Sequence, residues 1–175
     1  MHANLTLSDT PADIEEHFRH YWNKADVLIT TGGLGPTVDD RTKEIIAQVL
    51  GETLIFDTDI MAAIEARFRA IGRPMTDNNR KQAYRFRSAT VLPNPNGTAP
   101  GLWLEKEGKT LVMLPGPPVE LQPMFEKEVL PRFRDRGWLQ SAESYLQIRT
   151  AGVGESSLET MLQPILSEYE GLEVA

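Results

Sequence analysis

The stretch Asp26 to Thr42 constrains this chain most, because it changes character twice within a few residues. Val27 to Ile29 is a short β-branched and aliphatic run, the pattern of a buried strand. Gly32, Gly33 and Gly35 follow at once, then Pro36. Thr37, Asp39 and Asp40 lead into an apolar pattern at helical spacing. The order is strand, glycine loop, helix start. In open α/β sheets, ligands bind in the crevice beyond the carboxyl ends of the strands. Glycine admits a ligand close to the backbone, and a helix N-terminus offers free N–H groups to anions. Asp39 and Asp40 suit the helix dipole but would repel a bare phosphate. A divalent cation such as Mg²⁺, taking oxygens from both carboxylate and phosphate, would reconcile the two.

The remaining pattern alternates strands with helices. Leu5-Thr6-Leu7 reads as a strand, with Ser8 to Pro11 ending it. A helix follows, with Ile14, Phe18, Tyr21, Trp22 and Ala25 as its stripe and an end near Lys24. The helix after the glycine loop is expected over 39–50, with Thr37 as its cap and Asp40 reaching back, and Gly51 closes it. Residues 53–56 form a short strand or connector. Helices are expected from Asp57 to Gly72 and from Thr76 to Tyr84. Strands then follow at 90–92, 102–105 and 110–114, the last two joined as a hairpin through Glu107-Gly108-Lys109. Prolines open a helix near Pro117, and Pro131 is expected to kink or end it. A strand at 145–149, a helix with Leu158, Met161, Leu162, Ile165 and Leu166 on one face, and a nascent strand at 172–174 complete the chain. The fold class is α/β, with layers of helices over a mostly parallel sheet and the hairpin as an antiparallel edge. One domain is expected over 1–138, and residues 139–175 read as the start of a second, small α/β domain.

Three loops, at 30–40, 93–101 and 114–118, follow strands and are rich in Gly and Pro. In a parallel sheet they would share one edge, which favours a ligand site. Asp9 follows a presumptive strand and precedes a helix, so it could join Asp39 and Asp40 in holding a cation. All three could instead serve only at helix starts. Thr30, Thr31, Thr37 and Ser8 suit phosphate contact or capping equally. Asn94 and Asn96 shape a turn or meet a ligand. Glu120, just past Pro-Gly-Pro-Pro, and Glu155 are general-base candidates or first-turn carboxylates. His2, His17 and His20 have no metal-ligand spacing. Arg67, Arg69, Arg73, Arg80, Lys81, Arg85 and Arg87 face one acid, Asp77, across 67–87. That excess is either a solvated helix face or a landing surface for phosphates.

Composition narrows the partners. A net charge of −7 argues against general nucleic-acid binding. The absence of cysteine rules out disulfides and thiolate metal sites. No haem is expected. No apolar run approaches about 18 residues, and no signal-peptide order opens the chain, so a cytoplasmic protein without membrane partners is expected.

Thr30-Thr31-Gly32-Gly33-Leu34-Gly35-Pro36-Thr37-Val38-Asp39-Asp40-Arg41-Thr42 resembles the signature of the CinA (competence/damage-inducible) family. The N-terminal domain of that family belongs to the molybdopterin-binding MoaB/MogA superfamily. Asn79-Arg80-Lys81-Gln82-Ala83, Asn94 to Gly101, Leu114 to Leu121 and Gly152 to Ser156 resemble further family segments in the family's order. The resemblance implies a three-layer α/β/α domain. It also implies metal-dependent cleavage of ADP-ribose to AMP and ribose 5-phosphate, and Asp9 and Asp40 match acidic positions of the molybdopterin-handling relatives. With Asp39, read from the loop itself, they are the candidate catalytic and cation-holding residues. Thr31, Gly32, Gly33, Gly35, Thr37, Asn94, Gly97, Thr98, Pro115, Gly116 and Glu120 would contact the ligand. The alternative is a module that binds a pterin or nucleotide without turnover. Family members often dimerise, which implies a homodimer, although no apolar stripe here shows one. Nothing before His2 resembles the family's opening Gly-Asp-Glu-Leu-Leu strand. The chain is therefore expected to begin at the second strand of the family and to lack the C-terminal deamidase domain.

Overall fold

The computed structural model describes residues 3–139 and 150–168. The chain divides into two compact units, Met1–Leu139 and Gln140–Ala175. In the first unit the order is α1 (Pro11–Trp22), β1 (Val27–Thr31), α2 (Thr42–Leu50), β2 (Leu54–Phe56) and α3 (Thr58–Ala70). A 3₁₀ turn (Asp77–Ala83), β3 (Tyr84–Phe86), β4 (Thr90–Leu92), β5 (Gly101–Lys106) and β6 (Lys109–Leu114) come next. Last are α4 (Pro118–Met124), a π turn (Phe125–Val129) and α5 (Leu130–Asp135). In the second unit, α6 spans Glu155–Leu166. The strands expected at 145–149 and 172–174 lie outside the described residues.

The main sheet runs β1-β6-β5-β4, and β2 pairs with β3 in a separate ribbon. Its two faces follow from the period-2 alternation of β5 and β6. Leu102, Leu104, Leu111 and Met113 turn to one face, where Phe18 and Trp22 of α1 and Ile46, Ala47 and Leu50 of α2 cover them. Trp103, Val112 and Leu114 turn to the other, against Met124 and Val129, with Leu121, Phe125 and Phe133 around them. These are the three layers, helix over sheet over helix. A third cluster, Ile60, Met61, Ile64 and Ala83, packs α3 against the 3₁₀ turn.

The structure corrects several expectations. The sheet is mixed, not mostly parallel: β1–β6 is parallel, while β5–β6 and β4–β5 are antiparallel. The turn at Glu107 and Gly108, both at positive φ (55° and 76°), makes the expected hairpin of β5 and β6. The departure is β4, which a connection without a helix sets antiparallel to β5, since a parallel neighbour needs a crossover. Residues 3–10 form no strand and lie exposed. Among the described residues β1 pairs only with β6, so Leu5 to Leu7 has no ladder to join. Residues 77–83 are a 3₁₀ turn, not an α-helix, held at its start by the reciprocal Thr76–Asn79 capping box, and the chain then enters β3. Pro131 does not end the helical run. The widened turn before it, closed by Leu130 N–H to the Phe125 carbonyl, places Pro131 in the first turn of α5, where its missing N–H costs nothing.

Candidate functional site

The parallel pairing of β1 with β6 sets two of the glycine loops side by side. Thr31 stands opposite Leu114, and the ladder continues one step further, with Gly32 N–H donating to the Leu114 carbonyl at 3.0 Å. A Cβ on Gly116 would lie 3.5 Å from the Cα of Gly32, so the two loops run nearly in contact. The third loop closes over them through β4 and β5. Together they enclose a cavity of about 320 Å³. Gly32, Gly33, Leu34, Gly35, Pro36 and Asp40 line one side, Thr98 and Ala99 another, and Pro115, Gly116, Pro117 and Glu120 the third. Gln82 completes the wall. A second cavity of about 210 Å³, between Trp22, Leu50 and Lys106, contains none of these loops.

Asp40 holds the first loop in shape. α2 begins only at Thr42, so both aspartates belong to the loop. The Asp40 Oδ2 accepts the Thr37 N–H at 3.0 Å and the Thr37 hydroxyl at 2.5 Å. Gly35 must be glycine here, because a Cβ would sit 2.3 Å from that same oxygen. Among the described residues Oδ1 of Asp40 has no hydrogen-bond partner. Asp39 is exposed, and hydrogen bonds from Thr37 and from its own backbone N–H hold its carboxyl below the ordinary range.

Two cations of the basic stretch, Lys81 and Arg67, brace the loops. Lys81 Nζ donates to the carbonyls of Thr37 (3.0 Å) and Asp40, with Glu44 at 3.9 Å. The two guanidinium nitrogens of Arg67 donate to the carbonyls of Pro95 and Asn96, each at 2.6 Å. Arg85 Nε pairs with Asp57 at 2.5 Å. The guanidinium of Arg80 lies over the Phe56 ring, 5.2 Å from its centroid. These four cations hold backbone carbonyls, two carboxylates and one ring, so they are neither a purely solvated face nor a free surface for phosphates.

Gly32, Gly33, Gly35, Asp40, Thr98, Pro115, Gly116 and Glu120 are thus brought together on one cavity. Thr31, Thr37, Asp39, Asn94 and Gly97 belong to the same loops without lining it. Thr30 Oγ1 is buried and has no partner among the described residues. Asp9 lies in the exposed segment before α1, away from the lining, because the strand expected to carry it to the sheet edge does not form. Among the described residues no three His, Cys, Asp or Glu side chains meet as a metal-holding group, so Asp9, Asp39 and Asp40 do not form the expected trio. Gln82 was missed. Its signal is a pair of uncharged amides inside a basic run: Asn79 and Gln82 are both buried, and Asn79 Nδ2 donates to Gln82 Oε1 at 3.2 Å.

No helix among the described residues is long and apolar enough to cross a membrane. The family profile described as probable molybdopterin binding domain matches residues 1–135. A CinA-like protein of Solibacter usitatus is 40% identical over 168 residues, which covers 96% of this chain and 40% of that protein. A competence-damage inducible protein of Caldicellulosiruptor bescii is 50% identical over 143 residues, 82% of this chain and 34% of its own length. The chain therefore spans about two fifths of such relatives or less. The crystal structure of the protein CinA, of unknown function, from Thermoplasma acidophilum superposes with a TM-score of 0.62 at 33% identity, covering 73% of this chain and 72% of that one. The match over 1–135 holds all three loops and the cavity between them, and by it the chain belongs to the family of probable molybdopterin binding domains, with CinA proteins as its relatives.

Proposed function

We propose that the cavity binds a nucleotide pyrophosphate and hydrolyses it, with ADP-ribose cleaved to AMP and ribose 5-phosphate. The observation that carries this reading is the convergence of three glycine- and proline-rich loops on one cavity, with an uncommitted oxygen of Asp40 beside the glycine backbone. Gly32, whose Cβ position is open, lets phosphate approach the main chain without side-chain obstruction, while Gly33 and Gly35 make room for Thr42 and Asp40. Asp40 is braced by Thr37 and Lys81, so its free oxygen is held in place before a ligand arrives. Asp40 and Asp39 would hold a divalent cation, Mg²⁺ or similar. One or two carboxylates suffice for that ion when substrate phosphate and water fill its remaining positions. Once held there, such a cation would supply charge neutralisation at phosphate and a water of lowered pKa. Asp9 takes no part. In the net reaction a water oxygen bonds to one phosphorus, the bridging P–O bond breaks, and each product leaves as a phosphate monoester.

The test is chromatography of AMP released from ADP-ribose with Mg²⁺ present. Asp40→Asn keeps an acceptor for Thr37 but loses the charge, and AMP release should fall roughly 100-fold. Chelation of the metal should abolish it. A second reading, a module that binds a pterin or nucleotide without turnover, is favoured by the family description itself. Saturable binding of ADP-ribose or a pterin with no AMP released would establish that reading over the first.

A further inference from the structure

Glu120 is fastened in a way that a helix-start carboxylate does not need. It lies in the first turn of α4 and lines the cavity, half-buried. A carboxylate there steadies the helix dipole even when fully solvated. Here, however, Oε2 accepts Asn94 Nδ2 at 2.7 Å, from a loop 26 residues earlier. Asn94 is itself fixed: Nδ2 also donates to the Ala99 carbonyl at 2.8 Å, and Oδ1 accepts the N–H groups of Asn96 (3.1 Å) and Gly97 (2.9 Å). Asn96 Nδ2 donates in turn to the Val119 carbonyl at 2.7 Å, which ties the loop to the residue before Glu120. A Cβ on Gly97 would stand 1.8 Å from Oε2, so the carboxylate lies flat against the loop. Among the described residues Oε1 has no hydrogen-bond partner.

We propose that Glu120 is the specificity residue of the cavity: Asn94 pins Oε2, and Oε1 is presented as an acceptor for paired hydroxyl donors of a ribose. The inference rests on the nucleotide reading given above. A fixed negative charge repels phosphate, so this part of the cavity takes an uncharged, donor-bearing portion of the ligand, while the glycine loops take the phosphates. Acidic residues read ribose hydroxyls by the same chemistry in other α/β sites. Because the clamp is built before binding, little side-chain entropy is lost when the ligand arrives. The amine edge of a pterin carries donors of the same kind, and the test separates the two.

Calorimetric titration of the full chain with ADP-ribose, inorganic pyrophosphate and neopterin, for the wild type, Glu120→Gln and Glu120→Asp, decides the matter. Glu120→Gln keeps the shape and can still accept from Asn94, but it can place an amide donor where Oε1 was. ADP-ribose should bind about 10- to 100-fold more weakly to both variants. Pyrophosphate should bind within about threefold of wild type or tighter, and the thermal midpoints should hold. A merely structural role would weaken both ligands together or lower the midpoint, and either result overturns the proposal, as does an unchanged ADP-ribose affinity. A loss confined to neopterin overturns the ribose assignment. Wild-type binding of pyrophosphate but not of ADP-ribose overturns the role of Glu120 while leaving the phosphate site intact. Binding of none of the three removes the ligand-site reading itself.

Discussion

Lys43 is a charged residue in the apolar half of α2, and its ammonium is buried beneath the 3₁₀ turn, donating to the carbonyls of Lys81 (3.0 Å) and Tyr84 (2.6 Å). Burial lowers its pKa to about 8, with Glu44 opposing and Lys81 adding to the shift. The unfolded chain keeps the ordinary value near 10.5. Between these values the unfolded state binds more protons, so this group makes stability rise with pH across that window, by up to about 3 kcal/mol. Denaturant titrations from pH 7 to 10 should show the rise in the wild type and its loss in Lys43→Met. Asp57 shares that sign of pH dependence, but in the acid range and because its charged form is stabilised rather than penalised. It caps α3 through the N–H groups of Asp59 (3.0 Å) and Ile60 (3.1 Å), and Arg85 holds its carboxyl below the ordinary range, helped by those N–H groups. Its contribution is present above the usual carboxylate pKa and is lost as pH falls through the lowered one. Asp57→Ala should cost about 1–2 kcal/mol at pH 7 by thermal unfolding, and the difference should narrow in acid.

At the scale of elements, the parts set by local chemistry were legible in the sequence. The glycine loop, the hairpin turn at Gly108, the α2 stripe closed by Gly51 and the capped start of α3 each sit where side-chain pattern and turn chemistry agree. What periodicity does not contain is the direction of pairing: beyond the expected hairpin, β4 is also antiparallel to its neighbour, which makes the sheet mixed. Nor does it show where long side chains go: Arg67 reaches a carbonyl 28 residues away and Lys81 one 44 residues away. The strand at 5–7 failed because alternation needs a partner to become structure, and Asp9 lost its place at the site with it. The loops themselves offer a direct test. Gly35→Ala puts a methyl 2.3 Å from Asp40 Oδ2 and must displace the carboxylate from Thr37. Calorimetry should show ligand binding falling by at least about tenfold. The thermal midpoint should move little, since the substitution removes no apolar contact and the clash falls on a loop carboxylate.

In the first unit the most deeply buried strand stands directly behind the open cavity. Leu111, Val112, Met113 and Leu114 of β6 are essentially fully buried, alternately under the two helical layers, and the strand runs straight into the Pro115-Gly116 wall of the cavity. Leu111→Ala should cost about 2–5 kcal/mol, read as a shift in the denaturant midpoint with an unchanged slope. The central claim is that three loops distant in sequence form a single ligand site. Amide hydrogen exchange of the full chain with and without ADP-ribose and Mg²⁺ tests it most directly. Protection should rise together at 32–36, 97–99 and 116–120. Protection confined to one loop, or appearing instead around Trp22, Leu50 and Lys106, would contradict it.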